Sequence, residues 1–157
     1  MDRNSLRSRI VWILKNHDVE RAILQDQVDA ENASLQEDLE RIYSAVGIKA
    51  VEYDNVKVLS SVKGDSRIAA AIARAEARRI KHERRIEQFM VEIEAIDSVY
   101  RLICLQEGMN RAVLLALYYP YHQYSDVARQ LGYSVPSIVR LRSQAIEALL
   151  DVILAQS

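Results

Sequence analysis

From Ile68 to Ile103 one series of positions recurs at alternating steps of four and three: Ile68, Ile72, Ala75, Arg79, His82, Ile86, Phe89, Ile93, Ile96, Tyr100 and Ile103. Such a seam, sustained over more than four heptads without a glycine or proline, describes a long helix with one face turned to a partner. Arg79 and His82 interrupt it. A charge buried alone would cost on the order of several kcal/mol. The seam must therefore open there, or these two residues must find acidic partners, for which the N-terminal helices are the candidates. Asp97-Ser98 is a candidate kink or end, with a second short helix from Val99 to Gln106 beyond it.

Upstream, residues 3–46 carry a second apolar stripe: Leu6, Ile10 and Ile13, then, after a candidate break at Asn16, His17 and Asp18, Ile23, Leu24, Val28, Leu35, Leu39, Ile42 and Val46. Asp18 is placed to cap a second helix, and Val46-Gly47 is a helix end. Trp12 reads as a packing residue, and His17 as a surface or capping residue. The segment 47–65 changes character, with β-branched Val51, Val56, Val58 and Val62 among turn pairs Asp54-Asn55, Ser60-Ser61 and Gly64-Asp65. It reads as an extended connector, either a tether or a segment packing its valines on a helix.

Only four glycines and two prolines punctuate 157 residues, half of them hydrophobic, which leaves strands little room. The expected fold is all-α: a helical N-terminal region and a long coiled-coil-like helix, followed by a C-terminal helix-turn-helix. The expected domains are 1–107, a helical oligomerisation or scaffold region with 47–65 as its connector, and 108–157.

Net charge is −1, so global attraction to a polyanion is absent and the distribution of charge matters. Residues 17–54 hold ten acids and three bases, whereas 67–85 hold seven bases and two acids. The basic cluster Arg74, Arg78, Arg79, Lys81, Arg84 and Arg85 is either the solvated face of a long helix, paired in part with Glu76, Glu83 and Glu87, or a phosphate-contacting patch of secondary importance. The lone Cys104 forms no internal disulfide. With no apolar run long enough for a signal peptide or a membrane span, the expectation is a soluble protein of the cytoplasm, without membrane contact.

The C-terminal part carries the most specific pattern. Gly108 and Pro120 bracket a support helix, Met109 to Tyr119, with Val113, Leu114, Leu117 and Tyr118 on its apolar side. After it comes YSDVARQLGYSVPSIVRLR, Tyr124 to Arg142. Counting from Tyr124, small Ala128 stands fifth, where two helices would touch. Gly132 stands ninth, where the chain must turn sharply, and branched Ile138 stands fifteenth, pointing back into the angle between the helices. Val127, Leu131 and Leu141 complete a small core. Ser125 and Ser134 are candidate N-caps, Asp126 suits a first turn, and Pro136 suits the first turn of the second helix. The pattern is that of a helix-turn-helix presenting its second helix to DNA, although a plain two-helix packing unit shares its apolar spacing. The run Tyr118, Tyr119, Tyr121 and Tyr124 reads as packing at the joint rather than as a stacking platform for single strands. The stripe Ile146, Leu149, Leu150 and Ile153 should pack on the support helix or on a second copy.

No enzyme is expected. The sequence holds no glycine-rich phosphate loop, nucleophile elbow or metal-ligand cluster, and His17, His82 and His122 stand apart. No cofactor is expected.

On these residues, Met109 to Leu150 resembles region 4 of bacterial sigma factors. A wider stretch, from YDNVKVLSSVKGDSRIAAAIARAE to the last helix, is similar to the small phage and prophage transcriptional regulators of the ArpU/RinA type. The resemblance implies a sequence-specific DNA-binding transcription regulator, phage-encoded and acting in a bacterial host on late or packaging genes. It also implies that Ser134, Val135, Pro136, Ser137 and Arg140 face double-stranded DNA, with Arg142 near the backbone. Arg140 is the base reader in this reading, Val135 meets a thymine methyl, and Ser137 with the helix N-terminus holds a phosphate. The chain departs from sigma factors at Val135, Pro136 and Ser137, where they carry charged residues, which argues against recognition of a standard promoter element. So few readers per copy imply a homo-oligomer, a dimer or higher, on paired sites. Two other readings stand beside this one: a small DNA-packaging subunit of terminase type, and a helical adaptor that binds RNA polymerase.

Overall fold

The computed structural model describes residues 2–47 and 66–156. Within them the chain is all-α, with α1 Arg3–Ser44, α2 Ser66–Leu105, α3 Gly108–Tyr118, α4 Tyr124–Leu131 and α5 Val135–Ala155. The segment 48–65, most of the expected connector, lies outside the described residues. No helix among the described residues is long and apolar enough to cross a membrane.

Two compact units form, and the long helices contribute to both. An inner unit comprises Ala22–Ile93, and a terminal unit joins Met1–Arg21 to Glu94–Ser157. The division runs across α1 and α2 rather than at residue 107, because the core of the C-terminal helices is completed by the first turns of α1 and the last turns of α2.

In the inner unit, Leu39 and Tyr43 of α1 share a buried cluster with Ala71 and Ala75 of α2, flanked by Leu35, Ile42, Ile68 and Ile72. The two alanines leave room for the Tyr43 ring, which is fully buried. Further along the seam His82 is 5% exposed. Its Nδ1 donates to Glu31 Oε1 at 2.7 Å and its Nε2 to Asp38 Oδ2 at 2.9 Å. The acidic partners on α1 that the interrupted seam required are in place. Arg79 meets Glu76 on its own helix at 2.7 Å.

Burial pushes the Glu31 carboxyl up, but hydrogen bonds from His82 and Arg85 outweigh it and leave it below the usual carboxylate range. Asp38 is likewise lowered, chiefly by the His82 hydrogen bond, with the charges of Arg78 and Arg41 assisting.

In the terminal unit, Ile10, Ile13 and Leu14 of α1 and Ile96, Val99 and Ile103 of α2 are buried together with the apolar faces of α3 and α5. The C-terminal stripe Ile146, Leu149 and Leu150 is fully buried, and α3 is the principal neighbour of α5. The start of α1 is tied by charge to the end of α5: Arg3 reaches Glu147 at 2.6 Å and Asp151 at 2.9 Å, and Arg7 reaches Glu147 at 3.2 Å. Asp2, just ahead of α1, accepts from the Ser5 N–H at 2.8 Å and so caps the helix.

Two expected breaks do not occur. α1 runs through Asn16, His17 and Asp18, so Asp18 caps nothing. Asn16 turns its amide back to the Trp12 carbonyl at 2.9 Å, a contact the helix tolerates. His17 is neither surface nor cap: its ring stacks on Tyr119 at 4.1 Å and its Nε2 donates to the Tyr118 carbonyl at 2.5 Å. Trp12 is 39% exposed, with the Arg9 guanidinium over its ring. Likewise α2 continues past Asp97-Ser98, and no separate helix begins at Val99. Asp97 accepts from Arg21 at 2.9 Å, and Ile96 and Val99 on either side are buried. Packing on both flanks holds the period where local propensity would release it.

Candidate nucleic-acid interface

The geometry of α4 and α5 follows from a few residues at their junction. α4 ends at Leu131, and Gly132 adopts the left-handed conformation at φ 76°, ψ 30°. There a side chain would strain the backbone. Tyr133 N–H then donates to the Ala128 carbonyl at 2.9 Å, closing the helix end. Ser134 caps α5, its hydroxyl accepting from the Ser137 N–H at 3.3 Å, and Pro136 lies in the first turn. Three residues thus reverse the chain.

Val127, Ala128 and Ile138 are buried where α4 meets α5. Small Ala128 permits the approach, and complete burial of the Ile138 side chain contributes roughly 1.5–3 kcal/mol. Ser125 is not the cap of α4. The helix begins two residues earlier than that cap would have it, with Gln123 at the cap position and no side-chain cap bond, and Asp126 sits in the first turn.

This scaffold leaves the start of α5 open to solvent. Ser134, Val135, Pro136, Val139 and Arg140 are all exposed. Ser137 is half-buried, its hydroxyl accepting from that of Ser134 at 2.9 Å. Because Ser134 already binds the Ser137 N–H and Pro136 has none, the N–H left to meet an anion in this turn is that of Val135. An anion held here would rest on that group, the two hydroxyls and the helix dipole.

Arg142 is placed differently from the outward residues. Its Nε donates to the Tyr118 hydroxyl, and its guanidinium lies over the Tyr118 ring at 5.8 Å from the centroid. Burial raises the Tyr118 hydroxyl, and the Arg142 bond opposes that shift. The side chain ties α5 to α3.

Two residues absent from the expected set share the exposed surface. Val139 is 45% exposed one turn beyond Val135, and Tyr133 is 44% exposed in the turn. Val139 was readable from the sequence, since i and i+4 share a helix face. The acids of α5, Glu147 and Asp151, are both paired to Arg3 and Arg7 of α1, away from this surface. On α4 the exposed Arg129 lies 3.5 Å from Asp126.

The tyrosine run divides. Tyr118 is buried, Tyr119 stacks on His17 and tilts against Tyr100 at 5.0 Å, and Tyr121 is open to solvent. One exposed ring makes no platform for successive bases. Among the described residues no group of His, Cys, Asp and Glu is placed to hold a metal ion. Comparison of the chain with protein-family models, with curated proteins and with solved structures gives no match.

Proposed function

We propose that the chain is a sequence-specific double-stranded-DNA-binding transcription regulator that works as a homo-oligomer, of the phage-regulator kind its sequence resembles. The observation that carries the reading is the open N-terminal face of α5, held by the left-handed Gly132, the Ser134 cap and the buried Ala128–Ile138 contact. On that face Arg140 is the base reader, with Val135 and Val139 beside it for thymine methyls. Its bidentate contact to guanine would be worth ~1–3 kcal/mol of discrimination. A single arginine per copy supports paired sites and more than one copy.

The test is to recover and sequence sheared duplex bound at ~0.15 M salt, where non-specific phosphate attraction is partly screened. The expected result is convergence on a site upstream of a gene cluster. Arg140→Ala should then reduce affinity for that site by about 5- to 150-fold, with far smaller loss on unrelated duplex. Equal loss on all sequences would refute the base-reading role. Convergence on a packaging start would replace the regulator with a packaging subunit.

A second reading draws on the exposed Val135, Val139 and Tyr133, which give this surface an apolar character. In it the face docks on a protein, RNA polymerase being the candidate. Absence of any salt-dependent duplex binding would put this reading first.

A further inference from the structure

The basic cluster of the long helix has an order that its sequence listing hides. Arg74, Arg78, Lys81 and Arg85 stand at i, i+4, i+7 and i+11, on one stripe of α2. Arg85 is partly neutralised by Glu31 at 3.3 Å. Arg74 and Arg78 border a groove of about 410 Å³ in the inner unit, with Arg41 of α1 across it. Among the described residues its apolar lining consists of Ala45, Ala77 and Ile42. Among the described residues Asp38 is the one acid on its wall; its carboxylate accepts from His82 at 2.9 Å, lies 3.7 Å from Arg41 and also feels the charge of Arg78. The Arg41 side chain is 75% exposed.

We propose that this groove is a second DNA contact, one that binds the phosphates of the duplex backbone without reading sequence. Guanidinium forks match phosphate oxygens in bidentate geometry. From Arg74 to Lys81 the stripe spans ~10 Å, over which one DNA strand carries about three charges. Among the described residues the groove has no aromatic side chain on which the bases of a single strand would stack, and no large apolar pocket to anchor a peptide. The proposal rests on the DNA-binding reading above and extends it to the inner unit.

The experiment uses the full chain carrying Arg41→Gln, Arg74→Gln and Arg78→Gln together, with an Arg-to-Lys triple variant as control. Affinity for random-sequence duplex is measured from 50 to 200 mM salt. Each phosphate contact contributes about 0.9 to the slope of log K against log salt, so three contacts account for roughly a 40-fold loss across that range. The glutamine variant should lack this component and the lysine variant should keep it, while preference for the selected site over random duplex stays unchanged in both. An unaltered slope in the glutamine variant, or its loss in both variants, would overturn the groove contact and leave the Arg140 reading intact. Absence of duplex binding by the unsubstituted chain would overturn both.

Discussion

Gly132 sets the direction in which α5 leaves α4, and the cost of replacing it can be worked out from two opposing contributions. At φ 76° an L-residue meets its own carbonyl oxygen through Cβ, at roughly 1–2 kcal/mol. Alanine also narrows the unfolded ensemble, which favours folding by about 0.4–1 kcal/mol. A Cβ added at Gly132 meets nothing within 4 Å, so no clash enters the sum. Gly132→Ala should therefore destabilise the chain by close to ~1 kcal/mol. A D-alanine, installed by semisynthesis, fits φ 76° without strain and keeps only the entropic gain. It should stabilise by about 0.4–1 kcal/mol. The two epimers differ in nothing but handedness, and their separation of roughly 1–2 kcal/mol is the backbone strain itself. Urea denaturation of both full-length proteins reads the difference as a shift in midpoint at unchanged slope. Epimers of equal stability would refute the claim that a left-handed residue fixes the turn.

The remaining predictions concern polar groups inside the two units. His82→Leu removes both donors to Glu31 and Asp38 and should lower stability at pH 7. Because those carboxyls are held below their usual range, the stabilisation they bring is present above that range and is lost as pH falls through it. The gap between variant and wild type should accordingly narrow towards pH 3, and an equal gap at both pH values in chemical denaturation would contradict the assignment. Tyr119 has a buried hydroxyl without a hydrogen-bond partner among the described residues, and burial pushes that hydroxyl far up. Tyr119→Phe keeps the stack on His17 and should stabilise by about 1 kcal/mol. A loss of that size in thermal melting would reveal a partner for the hydroxyl.

Much of the fold could be read from spacing, because spacing expresses burial. Most heptad positions of α2, among them Ala75, His82, Ile93, Ile96 and Ile103, lie on its inward face, whereas Tyr100 is 46% exposed; the anomaly at His82 correctly demanded carboxylates from the upstream helix. Ala128, Gly132, Ser134 and Ile138 behave as their offsets require, since each answers to a local constraint: close approach, positive φ, an unsatisfied N–H, a buried corner. Contacts made by chemistry distant in sequence were not legible. Asn16-His17-Asp18 and Asp97-Ser98 are breakers by propensity, yet flanking buried residues and partners on other helices hold them helical. Arg142 looks like a phosphate ligand from its position in the motif, and only the placement of Tyr118 shows where it is held. Nothing in the first turn of α1 announces that Arg3 and Arg7 will meet Glu147 and Asp151.

That last pairing bears on how the protein is made. The terminal unit takes Ile10, Ile13 and Leu14 from α1 and Ile146, Leu149 and Leu150 from α5. Its core cannot close until α5 has been made, and the closure brings together segments that lie on either side of the whole inner unit in sequence. The inner unit is continuous in sequence and is complete long before. A growing chain therefore holds its first helical turns in waiting, apolar side uncovered, until α5 emerges. A chain that stops ahead of α5 leaves Ile10, Ile13 and Leu14 of α1 without the helix that helps to cover them.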